Sequence, residues 1–121
     1  MSTMKIGEKG LAEVNLIIPQ KCSFAFTIEH KNSSGNPISH VNSTIHMVLM
    51  SKYNAASFDF SNRCTGTATG VSVELSPEDT ARLPLGYMTW DLIAEMQVGQ
   101  TVRLAYGDVS VVDTYALDGD E

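Results

Sequence analysis

Apolar and polar residues alternate with a period of two along most of the chain, which is the pattern of β-strands that bury one face. In the segment 23–31, for example, Phe24, Phe26 and Ile28 alternate with small or polar residues. The alternation predicts about seven or eight strands. They cover residues 14–18, 23–31, 44–50, 55–61, 71–75, 88–96, 101–106 and 109–112.

Turn-forming residues separate these segments about every ten residues, which is typical of an all-β domain. The pattern therefore predicts an antiparallel β-sandwich of the immunoglobulin-like or jelly-roll-like kind. One short helical turn is predicted near residues 77–83. Ser76 is placed to cap it, Pro77 suits its first position, and Asp79 stands three residues after the cap.

Three further residues are predicted to form corners of the fold. Pro84 and Gly86 turn the chain into the longest strand, which begins near Met88. Gly107 indicates a bend or a bulge between the last two strands.

The strand faces that carry large apolar side chains predict the core. Its members are Phe24, Phe26, Ile28, Trp90, Leu92 and Leu104, with the tryptophan as the anchor. Two segments with few charges, 45–50 and 55–61, carry further large side chains, namely Met47, Met50, Phe58 and Phe60. These four either fill the core or form an exposed patch at sheet edges that pair with another subunit.

The length of 121 residues suits a single domain. We expect it to cover residues 13–116, between a flexible N-terminal arm at 1–12 and an acidic tail at 117–121. The net charge of −6 argues against nucleic acid or an anionic membrane surface as a partner. No apolar run approaches the roughly 18 residues of a membrane span. The first residues lack the apolar segment of a signal peptide, so synthesis in a cytoplasm is expected.

The cysteines and histidines do not form a recognised motif. Cys22 and Cys64 are expected to be reduced thiols, because no export signal precedes them. His30 and His46 could lie on neighbouring strands near a cysteine, but no pair of these residues has the spacing of a zinc site. No metal or cofactor is therefore predicted.

The carboxylates likewise give no sign of catalysis. Asp91 and Glu95 share a strand face but lie about 13 Å apart, beyond the separation of a glycosidase pair. Four others stand near strand ends or turns and are expected to be solvated: Asp59, Asp79, Asp108 and Asp113. The sequence also lacks a nucleophile elbow, a P-loop and a dinucleotide fingerprint. We therefore predict no catalytic residue and a protein that is not an enzyme.

A longer motif lies in the second half of the chain. It reads VELSPEDTARLPLGYMTWDL from Val73 to Leu92 and GQTVRLAYGDVSVV from Gly99 to Val112. It resembles the N-terminal domain of the BppU (baseplate upper protein) family of tailed bacteriophages, whose pattern is L-S-x-x-x-T-x-x-L-P-x-G-x-Y-x-Y-D-L and then G-x-x-x-x-L-x-x-G-x-V-x-V. Trp90 stands where that pattern more often has Tyr. The first half of the chain matches more loosely.

The resemblance implies a non-enzymatic bacteriophage virion structural protein, made in the cytoplasm of the host bacterium. Its expected role is that of a tail, baseplate or neck adaptor that assembles through sheet edges and termini. The expected partners are other virion proteins of the tail, neck or capsid, and further copies of itself in a homo-oligomer. A baseplate upper protein would continue into a fibre or receptor-binding region, so we expect a stand-alone module here.

Two other functions remain open. A capsid decoration protein, which clamps the head shell as a cement, would use a sandwich of the same size. A carbohydrate-binding module would present aromatic rings to a sugar, and Tyr53, Tyr87 and Tyr115 are the candidates for that contact.

Overall fold

Two β-sheets pack face to face, so the protein is the all-β sandwich that the alternation predicts. In this computed structural model the described residues are 2–6, 12–51 and 56–114, and residues 2–6 are described by their backbone alone. Within them lie ten strands, a 3₁₀ turn at Ser61–Arg63 and one short helix. In chain order these are β1 (Ser2–Ile6), β2 (Ala12–Glu13), β3 (Leu16–Pro19), β4 (Phe24–His30), β5 (Thr44–Ser51), β6 (Ser57–Asp59), β7 (Cys64–Thr67), β8 (Gly70–Leu75), α1 (Pro77–Ala81), β9 (Gly86–Glu95) and β10 (Thr101–Val112).

The two sheets differ in size. The smaller has four strands in the order β1-β4-β8-β7. The larger has six strands in the order β2-β10-β9-β5-β6, and β3 also pairs with β10 beyond the end of β2. The helix α1 carries the chain from β8 in the smaller sheet to β9 in the larger one.

The strand directions correct part of the prediction. The central strands pair antiparallel, as expected, but β1 runs parallel to β4, and β2 and β3 run parallel to β10. Both sheets are therefore mixed. Alternation of side chains indicates which face of a strand is buried, but the direction of its neighbour depends on the path of the chain.

The predicted strand boundaries also need two corrections. The segments 101–106 and 109–112 form one continuous strand, β10, because Gly107 adopts an extended conformation and pairs with Trp90. The ladder instead shifts register between Arg103 and Ala105. β7 was not predicted, since its residues are small and lack large apolar side chains on one face.

The N-terminal arm predicted at residues 1–12 includes an element of the sheet. The structure places Ser2–Ile6 in β1, which the sequence pattern did not predict, and residues 7–11 lie outside the described residues. The acidic tail at 117–121 also lies outside them. The division into arm, domain and tail stays a prediction.

The core fills the space between the sheets. The Phe26 ring meets the Trp90 indole edge-on across the two layers, with 5.7 Å between ring centroids. Of the predicted core residues, Phe26, Ile28, Trp90, Leu92 and Leu104 are buried, and Phe24 is half-buried at the margin of the cluster. The described part of the chain has no helix long and apolar enough to cross a membrane.

Candidate assembly surface

A buried carboxylate, that of Asp79, stabilises the corner at α1, where the chain passes from the smaller sheet to the larger one. Ser76 caps α1 by accepting a hydrogen bond from the Asp79 amide at 3.1 Å, and Asp79 Oδ2 accepts one from the Ser76 amide at 2.9 Å. Arg63 donates to the same carboxylate through Nε at 2.7 Å and through Nη2 at 3.1 Å. The prediction that Asp79 is solvated is therefore wrong, because only 3% of its surface is exposed.

The hydrogen bonds of the corner also set the charge state of this carboxylate. The hydrogen bonds from Arg63, and after them those from Ser76, hold the pKa of Asp79 below its ordinary value. The pairing also raises the pKa of Arg63. An open groove of about 520 Å³ runs beside the corner, with Ser23 and Glu74 in its walls. A general acid needs a pKa near the working pH, whereas the pKa of Asp79 lies below its ordinary value.

The other predicted corner residues lie next to α1. Pro77 is the first residue of the helix, and the half-buried Pro84 leads to Gly86, whose φ of +117° suits glycine. Thr80 fixes the helix to the β3–β4 connection, since its Oγ1 donates to the Cys22 carbonyl at 2.9 Å and accepts from the Cys22 amide at 3.1 Å.

The predicted corner at Gly107 has a different role from the expected bend. Val14, between β2 and β3, lies over β10 at this point, and its amide donates to the Tyr106 carbonyl at 2.8 Å. A Cβ on Gly107 would lie 2.2 Å from the Val14 carbonyl oxygen. That same oxygen accepts a hydrogen bond from Trp90 Nε1 at 2.7 Å. The glycine therefore lets the edge segment approach closely enough to satisfy the buried indole.

The histidines do not gather in the way that a zinc site would need. His30 and His40 are both buried and stack on each other, with His30 Nδ1 and His40 Nε2 2.9 Å apart. Burial first, and the neighbouring His30 second, lower the pKa of His40. His46 lies in the other sheet, with its Nε2 3.3 Å from Glu95 Oε1. Among the described residues no three His, Cys, Asp or Glu side chains could together hold a metal ion.

The two cysteines are free thiols, each in a half-buried position. Cys64 packs under the larger sheet, with its Sγ 3.8 Å from the sulfur of Met47. Burial raises the pKa of the Cys64 thiol to about 12, so that it carries almost no reactive thiolate near neutral pH.

Exposed apolar side chains concentrate at one end of the outer face of the larger sheet. Ile17 of β3 pairs with Ser110 of β10, which pairs with Tyr87 of β9, so these residues form one row across three strands. Ile17 is 67% exposed and Tyr87 is 62% exposed. The same end carries Met50, Leu85 and Val112, which are also exposed. We call the set Ile17, Met50, Leu85, Tyr87 and Val112 the apolar patch.

Register explains why the members of the apolar patch are neighbours. Val112 lies two residues beyond Ser110 on β10, and Leu85 comes immediately before β9, where the β9–β10 pairing ends. Met50 pairs with Thr89, two residues from Tyr87 on the same face. The patch therefore crosses the larger sheet from its β3 edge to β5.

The opposite end of this face carries charged side chains beside the half-buried Ile93. Arg103 donates through Nε to Asp91 Oδ1 at 2.7 Å, and its guanidinium lies 4.6 Å from the centroid of the Tyr106 ring. His46 and Glu95 form the second pair at that end. The partners of these charged groups lie within the chain, whereas the apolar patch faces solvent.

The four possible interface residues separate into two groups. Met47 and Phe60 lie in the core, with 0% and 1% of their surface exposed, so the interface hypothesis is wrong for both. Phe58 is half-buried and packs against the core from β6. Met50 is half exposed and belongs to the apolar patch. Sequence reasoning named Tyr87 only as a candidate for sugar contact and missed Ile17, Leu85 and Val112, because Ile17 and Val112 occur in apolar runs without a clear alternation.

Comparison with known proteins finds similarity among solved structures. No protein-family model matches the sequence, and no curated protein matches it. Among solved structures, the N-terminal domain of phage TP901-1 ORF48 is similar, with a TM-score of 0.48 and 15% sequence identity. The similarity covers 92% of this chain and 98% of that one.

Proposed function

We propose that the protein is a non-enzymatic structural component of a tailed-bacteriophage virion, acting as a tail, baseplate or neck adaptor. The observation that carries the proposal is the place of the residues that resemble the baseplate family. Ser76 caps α1 at the corner, Gly86 opens β9, and Trp90 enters the core. The motif thus coincides with the residues that join the two sheets, which supports a shared architecture.

The apolar patch supports an assembly role. Isolated apolar side chains are common on protein surfaces, but a contiguous group is a feature of interaction sites. The patch lies on a sheet whose other face belongs to the core, so a partner would meet a surface that is already ordered. In a symmetric particle, repeated contacts of this kind act together, and each one can be weak.

Immunogold electron microscopy of particles of a phage that encodes this chain tests the proposal. Label on the tail, baseplate or neck is the expected result. Label over the head would support the capsid decoration alternative, in which the same surface would clamp shell subunits. Particles without label would overturn the virion role.

A second experiment tests whether the apolar patch makes the contact. Tyr87→Lys places a charge in the patch, and Val98→Lys provides the matched control. Val98 is 80% exposed but lies in the β9–β10 turn, at the other end of the sheet. We expect Tyr87→Lys to reduce the copies per particle and Val98→Lys to leave them unchanged. Equal incorporation of both variants would remove the patch from the proposal.

The carbohydrate-binding alternative is supported by one observation. Tyr87 presents an exposed ring on the outer face of the larger sheet, and sugar-binding modules stack such aromatic rings on their ligands. Tyr53 and Tyr115 lie outside the described residues. A glycan array separates the alternatives, because glycan binding that Tyr87→Ala removes would favour the carbohydrate module.

A further inference from the structure

The two outer strands of the smaller sheet are held in different ways. β7 is joined to β8 by a tight turn, and its Thr67 carbonyl accepts a hydrogen bond from the His40 amide at 2.8 Å. β7 is therefore fixed on both sides. Among residues 2–6, 12–51 and 56–114, β1 pairs on one side, with β4, in a parallel ladder from Ser2 opposite Phe26 to Ile6 opposite His30.

The strand that receives β1 does not depend on β1 for its own position. β4 pairs antiparallel with β8 from Phe24 to Glu29, and its Phe26 and Ile28 side chains are buried in the core. The edge of β4 that meets β1 is thus built by the rest of the sandwich. An ordered strand edge of this kind can receive any strand of matching sequence.

The connection between β1 and β2 bears on which β4 edge β1 can pair with. β1 belongs to the smaller sheet and β2 to the larger one, and residues 7–11 join them. Stacked sheets lie about 10 Å apart, whereas a link of that length can reach roughly 20 Å when extended. A link of that length does not by itself confine β1 to the β4 edge of its own chain.

We propose that the β4 edge is a strand-acceptor site that takes β1 from a second copy of this chain. Exchange between copies forms the same strand pairing that it breaks, so its contacts cost almost nothing. Whether β1 pairs with its own chain or with a neighbour then depends on the effective concentration of the neighbouring strand. That concentration reaches the millimolar range when subunits are held side by side. This inference deepens the assembly proposal and rests on it, and its chemistry can be tested on the isolated chain.

Cysteine cross-linking of the full-length chain tests the exchange. Thr3 pairs with Thr27 in the β1–β4 ladder, and neighbouring strands lie about 4.8 Å apart, within the range that a disulfide bridges. The background carries Cys22→Ser, while Cys64 is kept, because it is half-buried and its thiol has a pKa of about 12 and so little reactive thiolate. Thr3→Cys and Thr27→Cys placed in one chain should cross-link within that chain and so verify the register. Failure of this internal cross-link would overturn the proposal.

The two substitutions are then placed in separate chains that are mixed at high concentration under mild oxidation. Ser72→Cys gives the matched control, because Ser72 is the β8 partner of Thr27 and lies one strand further from β1. We expect several-fold more mixed dimer from Thr3→Cys with Thr27→Cys than from Thr3→Cys with Ser72→Cys. Equal yields would overturn the exchange.

A proline variant shows whether strand pairing causes the cross-link. Met4→Pro removes a backbone N–H and fixes φ far from the parallel-strand value, so it should abolish the excess of mixed dimer. Mixed dimer that persists with Met4→Pro would mean that chance collisions form it, which also overturns the proposal. None of these readouts depends on virion location, so immunogold imaging can fail while the exchange stands, and the reverse.

Discussion

The corner at α1 and the apolar patch depart from the usual distribution of side chains in opposite directions. The corner buries a charged carboxylate, Asp79, whereas the patch exposes large apolar residues such as Ile17 and Tyr87. In the corner, each charged group has its partner inside the chain, namely Arg63 and the helix cap. Within the part of the chain that the structure describes, the residues of the patch are exposed on the outer face of an ordered sheet.

The comparison separates what fixes the shape from what remains available to a partner. Buried polar groups cost free energy unless they are paired, so the pairing at the corner specifies one arrangement of the two sheets. Exposed apolar residues add little to the stability of the chain itself, and they gain when another surface covers them. Substitutions at the corner and core should therefore change stability, and substitutions in the patch should change assembly.

The largest expected effect is that of Trp90→Ala. Trp90 is 2% exposed, meets the Phe26 ring and donates to the Val14 carbonyl, so its removal leaves a cavity and an unpaired carbonyl. We expect the free energy of unfolding to fall by about 3–5 kcal/mol in chemical denaturation. Trp90→Phe, which keeps most of the volume and loses the hydrogen bond, should cost less. A normal stability for Trp90→Ala would contradict the assignment of this strand face to the core.

Gly107→Ala should cause the next-largest loss in the free energy of unfolding. The new Cβ would lie 2.2 Å from the Val14 carbonyl oxygen, so the edge segment must move away from the indole. We expect a loss of about 1–3 kcal/mol in the free energy of unfolding. The chain has a single tryptophan, and its fluorescence should shift as the hydrogen bond from Trp90 is lost.

Gly99→Ala is the control for this substitution. Gly99 has a φ of +86°, but a Cβ at this position would meet open space, so the variant tests backbone strain without a clash. It should lower stability by about 1 kcal/mol and leave the Trp90 fluorescence unchanged. Equal spectra for both variants would mean that the close approach at Gly107 does not position the Val14 carbonyl.

Asp79→Asn tests the corner directly. The variant keeps the shape of the side chain and loses the charge that Arg63 and the Ser76 amide stabilise. We expect a loss of about 1–3 kcal/mol near neutral pH. Glu78→Gln, at an exposed position of the same helix, should cost far less. Similar losses for both variants would argue against a special role for the buried carboxylate.

The pH dependence of this variant has a defined sign. Because the pKa of Asp79 is lowered in the folded protein, its contribution is complete above the unfolded value of about 4 and is lost as the pH falls through the folded value. The stabilities of the unchanged protein and Asp79→Asn should therefore converge below about pH 4. Denaturation curves at several pH values would show this, and a constant difference would contradict it.

The alternation of side chains was enough to predict most of the fold. Met88, Trp90, Leu92 and Ala94 are buried on one face of β9, as the period of two requires. The cap at Ser76 was also predictable, because capping depends on residues that are close in the sequence. Local pattern and local structure agree in these elements.

The features that the sequence could not predict depend on distant residues. Arg63 and Asp79 stand 16 positions apart and meet only because the 3₁₀ turn lies beside α1. Gly107 was interpreted as a bend, since nothing near it in the sequence shows that Val14 crosses over it. The apolar patch is formed by single residues from separate strands, and only the strand order brings them together.

The smallest expected effect is that of Tyr87→Lys on stability. Tyr87 is 62% exposed on an outer face, so the substitution removes little buried surface, and the free energy of unfolding should change by about 0.5 kcal/mol or less. Chemical denaturation beside Val98→Lys measures it. A small change in stability together with reduced incorporation into particles would assign the effect to a lost contact with a partner. A large loss of stability would instead mean that Tyr87 supports the fold, and the contrast between the corner and the patch would then fail at this residue.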